Sequence, residues 1–160
     1  MVQGLRHGLG HLSTPKPSHN STRIHYIGQF ENGLRHGYGA IISPSTGESF
    51  HGVFKDDVIT GPGCYTFPRP ESNNNKGGRH RVRFDGVFDG RPCGKGVVVW
   101  SDGERSSGEY DGMEMIRKVP EKDVEGVLEM AYKNGEMAKR VVAEIEQELM
   151  GRGEVVAWRR

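Results

Sequence analysis

The sequence has no long apolar run, few cysteines and almost no net charge, and each shortage excludes a class of protein. No stretch approaches the ~20 consecutive apolar residues of a membrane-spanning helix. Two cysteines, Cys64 and Cys93, are too few for a disulfide scaffold, and we expect both to be reduced thiols of a cytoplasmic protein. The 22 basic and 21 acidic residues nearly cancel, so the charge balance gives no reason to expect nucleic acid as a partner. The opening residues, MVQGLRHGLG, contain no apolar stretch typical of a secretory signal.

Glycine, in contrast, is plentiful and regularly placed. It supplies 24 of the 160 residues and does not recur at every third position as it does in collagen. The pattern aromatic-x-Gly-x-aromatic occurs at Tyr26–Phe30, Phe50–Phe54 and Phe84–Phe88, and in weaker form at Ser106–Tyr110. A Gly-x-Gly triplet follows each of the first three patterns, at 37–39, 61–63 and 94–96. The central glycines of the four patterns are 24, 34 and 22 residues apart, which indicates a repeat array with one insertion.

Each repeat is predicted to form a β-hairpin. Residues two apart share one face of a strand, so Tyr26, Gly28 and Phe30 place a bare glycine between two rings, where a neighbouring backbone or ring approaches closely. A β-branched or aromatic segment follows each Gly-x-Gly and is typical of a second strand; these segments are 40–42, 64–67 and 97–100. Asn32-Gly33, between the two halves of the first hairpin, is a strong turn signal. Hairpins in series give an antiparallel meander with rings stacked along one face.

The candidate functional residues from this pattern are the rings and the glycines. The predicted groove aromatics are Tyr26, Phe30, Tyr38, Phe50, Phe54, Tyr65, Phe67, Phe84, Phe88, Trp100 and Tyr110. The predicted repeat glycines are Gly28, Gly37, Gly39, Gly52, Gly61, Gly63, Gly86, Gly94 and Gly96.

The first unit resembles the MORN repeat (membrane occupation and recognition nexus). The segment 26–39, YIGQFENGLRHGYG, matches almost every position of that motif. The unit from Phe50 departs from it, with Asp57 for the turn glycine and Thr60 for the usual histidine. The unit from Phe84 is one residue short and has Cys93 where histidine is usual. The resemblance implies a mainly β fold, an elongated single-layer antiparallel sheet with a groove along one side.

The chain divides, by this pattern, into a repeat sheet at 1–112 and a C-terminal helical segment at 113–160. Within the sheet we expect full units at about 26–47, 50–67 and 84–103, with partial units at 4–12 and 104–112. Residues 11–25 are interpreted as a connector because they are rich in Ser, Thr, Pro and His.

The insertion at 68–83 is rich in basic residues. Arg79, Arg81 and Arg83 fall near its end, and Glu71 is its one acid. Two interpretations stay open, a solvated hairpin extension or a contact for an acidic surface.

Two amphipathic helices are predicted after Pro120. The apolar positions 124, 127, 128 and 131 define the first, with Asn134-Gly135 as its end. The second runs from about Glu136 to Met150 and carries Val141, Ile145 and Leu149 on one stripe. These helices either cap the last hairpin or bind a partner, and we expect at least one stripe to be buried against the sheet or a partner protein.

We expect no catalytic, cofactor or metal site. Gly90–Gly96 is one residue short of a Walker A phosphate loop and has Gly96 where Ser or Thr is required. The seven histidines show no metal-ligand spacing, and neither cysteine lies in a nucleophile motif. The sequence therefore predicts a protein that is not an enzyme.

The resemblance implies an interaction role. MORN proteins of this size without further domains are commonly cytoskeletal, so the expected function is a scaffold that binds several proteins of a large assembly, in the axoneme of a cilium or flagellum, as in radial spokes. The alternative is a peripheral membrane or phospholipid adaptor that uses the basic 68–83 loop. The scaffold is favoured because the 9 bases and 10 acids of residues 113–160 are balanced and no lipidation motif is present. Self-association stays open.

Overall fold

The chain folds into one antiparallel sheet covered on one side by a helix. The computed structural model describes residues 7–14, 23–70 and 78–159. Nine strands lie in chain order, each hydrogen-bonded to its neighbours in sequence. Their bounds are β1 (Gly8–Ser13), β2 (His25–Glu31), β3 (Leu34–Ile42), β4 (Ser49–Lys55), β5 (Val58–Thr66), β6 (Arg81–Asp89), β7 (Pro92–Trp100), β8 (Arg105–Asp111) and β9 (Glu114–Lys118). A 3-10 helix (Glu121–Asp123) leads into α1 (Glu125–Gly151). The predicted mainly β meander of tandem hairpins with C-terminal helical structure is confirmed.

Each hairpin has a tight turn and a bulge. Asn32 and Gly33 both have positive φ, at 52° and 82°, as the two-residue type I′ turn requires. Asp56 and Asp57 take the same conformation at 47° and 73°, which explains how an aspartate replaces the turn glycine of the second unit. In the β2–β3 pair the register shifts between Gly28 and Phe30, so the second strand carries extra residues. Equivalent shifts recur in β4–β5 and β6–β7.

The predicted boundaries of the connector, the insertion and the repeat sheet differ from the structure. Strand pairing continues beyond the points at which the amino-acid composition changes. Ser13 pairs with His25, so 11–13 belong to β1 rather than to a connector. Arg83 pairs with Thr66 and with Val99, so 81–83 belong to β6 rather than to the insertion. β9 completes the hairpin begun by β8, so the sheet extends to Lys118 and not to 112. The predictions for residues 4–6, 15–22 and 71–77 lie outside the described residues.

The prediction of two helices separated at Asn134-Gly135 is wrong. The helix is continuous from Glu125 to Gly151, and both residues are buried in its middle. The Asn134 side-chain amide donates a hydrogen bond to the Pro62 carbonyl at 2.9 Å. A Cβ at Gly135 would lie 3.2 Å from the Cys64 Sγ, so glycine lets the helix approach the sheet closely. Residues that resemble a helix end in sequence are thus contacts with the sheet.

The sheet has two different faces. The aromatic face is formed by the interlocking rings of Tyr26, Phe30, Phe50, Phe54, Phe84, Phe88 and Tyr110 together with Val98. The helix face is covered by α1, which runs across the strands. Over β2 and β3, Val141 and Ile145 pack with Ile27 and Ala40. Over β7, Val124 and Leu128 pack with Val97. Because α1 covers only one face, the other face is left to hold a groove.

Candidate interaction surface

A row of glycines crosses the sheet beneath the rings. Directly paired glycines are Gly10 with Gly28, Gly28 with Gly39, Gly39 with Gly52, Gly63 with Gly86, Gly86 with Gly96, and Gly96 with Gly108. The first ring of each full unit lies over its own pair, because a Cβ at Gly39 would be 2.7 Å from the Tyr26 ring and one at Gly96 2.5 Å from the Phe84 ring. The missing Cβ atoms therefore make room for the rings against the backbone.

The rings pack edge to face along the row. Phe50 lies 5.6 Å from Phe54 and 5.0 Å from Phe88, and Phe84 lies 5.5 Å from Phe88, all with nearly perpendicular planes. This is the geometry that the aromatic quadrupole favours. The result is a stiff, continuous apolar spine that needs no second layer to be buried.

An apolar groove of four adjoining cavities follows this spine. The cavity nearest β1 has a volume of ≈ 450 Å³, and the next, of ≈ 130 Å³, shares Ile24 and Ile41 with it. A third, of ≈ 260 Å³, shares Ile59 and Tyr65 with the second. The fourth, of ≈ 420 Å³, shares Phe67 with the third. Shared walls make these cavities one groove that crosses the strands.

The predicted aromatics are divided between the two faces. Seven are buried in the spine, Tyr26, Phe30, Phe50, Phe54, Phe84, Phe88 and Tyr110, and three are partly buried against it, Tyr65, Phe67 and Trp100. Tyr38 does not belong to the groove, because it packs with Ile27 and Val141 on the helix face. The strand period of two explains this correction, since Tyr38 lies between the two glycines of a Gly-x-Gly.

The predicted glycines perform two tasks. Gly28, Gly39, Gly52, Gly63, Gly86 and Gly96 form the row under the rings. The first glycine of each Gly-x-Gly instead has positive φ: Gly37 at 88°, Gly61 at 71° and Gly94 at 126°. Those positions lie at the bulges, where the backbone conformation favours glycine.

The predicted partner stripe on the helix is already occupied. Val141 and Ile145 are buried against Ile27 and Ala40 of the same chain, and Leu149 is partly buried beside them. The stripe therefore packs α1 against its own sheet, which is one of the two alternatives expected from the sequence. It is not a surface for another protein.

The arginines predicted as a basic loop are held by neighbours. Arg79 forms an ion pair with Glu104, and its guanidinium lies 4.2 Å from the Trp100 ring centre. Arg81 also lies over Trp100, at 5.5 Å. Arg83 donates from Nε to the buried Asp85 Oδ2 at 2.7 Å. Arg79 and Arg81 share the Trp100 ring, whereas Arg83, beyond the bulge near Val82, pairs with Asp85, so the three side chains do not converge on one cationic patch.

The polar centre of the helix face lies beneath α1. Cys64 donates to the Ala131 carbonyl, with Sγ and O 3.3 Å apart. Burial, with the nearby Asp85 carboxylate, raises the pKa of Cys64 to about 12, so the thiol stays protonated and is a poor nucleophile. Asp85 is fully buried, and its Oδ1 has no hydrogen-bond partner among the described residues.

His51 provides a pH test of this interface. Burial lowers the pKa of His51 from 6.5 to about 4, and Lys139 on α1 adds to the shift. Between pH 6.5 and about 4, His51 is protonated in the unfolded chain and neutral in the folded chain. The free energy of unfolding therefore falls as pH falls through this window. We expect His51→Gln to remove about 2 kcal/mol of that pH dependence. Urea unfolding at pH 7, 5.5 and 4.5 measures it, and parallel pH profiles for the two proteins would contradict the assignment.

The groove is also lined by aliphatic side chains that the repeat pattern does not single out. Ile41 and Ile59 pack against the spine between the rings. Each lies two residues from a repeat glycine, so the same period of two identifies its face. The composition of residues 11–25 predicts a connector for Leu12 and Ile24, and only the pairing of β1 with β2 brings them into the groove.

The described ranges contain neither a cluster of metal ligands nor a membrane-spanning helix. No group of three His, Cys, Asp or Glu side chains converges there in a way that would hold a metal ion. Across residues 7–14, 23–70 and 78–159, no helix is long and apolar enough to cross a membrane.

The repeat geometry agrees with comparison to known families. The MORN repeat family matches residues 1–16, 26–47, 50–69 and 86–105. The chain is a MORN-repeat protein. No curated protein matches the sequence significantly. MORN repeats are generally non-catalytic modules, and they indicate a repeat protein of protein interaction or membrane association.

Proposed function

We propose that this chain is a non-catalytic scaffold that binds an apolar segment of a partner protein in its aromatic-face groove. The observation that carries the proposal is that the two faces of the sheet differ in what covers them. α1 buries the helix face, whereas the other face keeps a continuous groove over a rigid ring spine. Concave, largely apolar surfaces with few polar groups are where protein partners and ligands bind.

Apolar contacts are expected to dominate the affinity. A buried leucine or isoleucine contributes about 1.5–3 kcal/mol. An exposed ion pair of the kind made by Arg79 contributes about 0–1 kcal/mol. The charged rim then affects association rate and salt dependence more than affinity.

Ile59→Asp tests the groove directly. Ile59 lines two adjoining cavities, so a carboxylate there is expected to lower partner retention at least tenfold. Val58→Asp is the matched control, because Val58 is the neighbouring residue and is exposed. Both tagged variants would be checked by thermal melting, then compared for co-purified proteins by mass spectrometry and for binding to the purified partner. Full retention by a folded Ile59→Asp protein would refute the groove.

The finer proposal is a cytoskeletal site, the axoneme of a cilium or flagellum, with a radial-spoke-like role. Its support is the tandem MORN-repeat array, which resembles that of cytoskeletal MORN proteins. The endogenous tagged protein should remain with detergent-extracted axonemes and be released only with structural components. Release with the detergent-soluble fraction would count against this location.

Phospholipid binding is the competing outcome. Arg79, Arg81 and Arg83 are engaged by Glu104, Trp100 and Asp85, which weakens the case for an anionic membrane surface. Flotation with vesicles of phosphatidylcholine and phosphatidylserine would decide. Flotation that is lost when Arg79, Arg81 and Arg83 are neutralised would favour the membrane adaptor.

A further inference from the structure

The cavity at the β1 end of the groove has the character of a ligand site. Its volume of ≈ 450 Å³ falls in the range of about 300–1,000 Å³ typical of such sites. Its apolar wall is formed by Leu12, Ile24 and Ile41. Leu12 and Ile24 are 50% and 46% exposed, so apolar surface remains for an occupant to cover.

The polar side chains that line this cavity are hydrogen-bond donors. They are the hydroxyl of Thr14 and the guanidinium of Arg35, and the lining includes no carboxylate. Ser13 follows Leu12 in β1 and is paired with His25, so its side chain belongs to the opposite face of the sheet. Thr14 Oγ1 accepts the Ile24 N–H at 3.1 Å, which leaves its own O–H to donate. The Tyr26 hydroxyl also lines the cavity but already donates to the Gln29 carbonyl at 2.6 Å.

Arg35 is fixed in position with donor capacity to spare. Its Nε and Nη2 donate to the Asp57 side chain and carbonyl, at 3.3 and 2.6 Å. Nη1 has no hydrogen-bond partner within the described part of the chain. The guanidinium also lies 5.4 Å from the Phe54 ring centre and 5.8 Å from that of Tyr26. These contacts hold the side chain in place without using all of its donors, as pre-organised recognition requires.

We propose that this cavity binds a glutamate or aspartate carboxylate together with the bulky apolar side chain beside it, on the partner segment that lies in the groove. The carboxylate accepts hydrogen bonds from Arg35 Nη1 and the Thr14 hydroxyl, and the apolar side chain covers Leu12 and Ile24. The spare N–H groups of the Arg35 guanidinium, which cannot accept, and the Thr14 O–H favour an acceptor, and an ionised acceptor gives the strongest bonds. The inference rests on the proposed function, because the cavity forms one end of the same groove.

A matched pair of peptides tests the carboxylate. Acetyl-Ile-Leu-Glu-amide and acetyl-Ile-Leu-Gln-amide differ only in that group. Titrated into the full isotope-labelled chain, the Glu peptide should shift the amide signals of Leu12, Ile24 and Ile41 and bind about tenfold more tightly than the Gln peptide. Equal affinities, or shifts confined to the Trp100 end of the groove, would overturn the proposal. Tighter binding of octanoate than of the Glu peptide would also overturn it, in favour of a fatty acid.

Variants assign the effect to Arg35. Arg35→Gln should make the two peptides bind equally. Arg91→Gln, which removes another ion-paired groove arginine, should change neither affinity. Because Arg35→Gln also breaks the Asp57 contact, Leu12→Glu provides a second test on a half-exposed side chain, and it should weaken the Glu peptide about tenfold in a folded protein. Persisting discrimination in both variants would refute the site.

The experiments distinguish a wrong carboxylate site from a wrong assignment of the groove as the partner-binding surface. Ile59 does not line this cavity, so Ile59→Asp should leave tripeptide binding unchanged while it removes the partner. Partner loss in Ile59→Asp without any tripeptide binding would refute the carboxylate site alone.

Discussion

Replacing Phe88 by alanine is expected to lower the free energy of unfolding by about 3–5 kcal/mol. The Phe88 ring is buried between two neighbours of the spine, 5.0 Å from the Phe50 ring centre and 5.5 Å from that of Phe84. Its removal opens a cavity that the single-layer sheet has no second layer to fill. The loss should spread to adjoining hairpins, because repeat units stabilise one another through their interfaces.

Val58→Ala is the control for this experiment. Val58 is 43% exposed, so the same kind of truncation there should cost less than about 1 kcal/mol. Chemical denaturation monitored by circular dichroism measures both changes. An unchanged midpoint for Phe88→Ala would show that the ring is dispensable and that the spine does not stabilise the sheet.

Gly52→Val is expected to destabilise the fold by about 3 kcal/mol, although valine favours strands. A Cβ at this position would lie 2.6 Å from Phe50 Cζ and 3.3 Å from the Gly63 Cα. The Phe50 ring is buried between Phe54 and Phe88, so it has no free space into which to turn. The backbone of β4 must then move away from its neighbours.

A pair of alanine variants separates this crowding from the loss of glycine itself. Gly52→Ala should still destabilise, because even one carbon contacts the ring. Gly126→Ala, in the first turn of α1, introduces a Cβ with no atom within 4 Å and should change stability by less than about 0.5 kcal/mol. Equal effects at the two positions in thermal melts would contradict the close-approach role of the glycine row.

The repeat hairpins and their ring face follow directly from the sequence. The alternation of Tyr26, Gly28 and Phe30 fixes a face through the two-residue period, and Asn32-Gly33 fixes a turn through its positive φ. These are local properties, so they hold wherever the strand lies. The same reasoning, applied to Tyr38, would have placed it on the opposite face from the start.

The sequence by itself determined the repeats, their turns, the glycine row and the ring spine, because each depends on residues close together in the chain. Only the tertiary structure decided what covers each face. Asn134 and Gly135 resemble a helix end until Pro62 and Cys64, about seventy residues earlier, are found beneath them. In the sequence Arg83 resembles a free charge in a loop, but in the structure its guanidinium forms an ion pair with the buried Asp85 carboxylate. The groove likewise exists because α1 packs on one face of the sheet and leaves the other face uncovered. Which face α1 covers is decided by long-range apolar packing rather than by local periodicity.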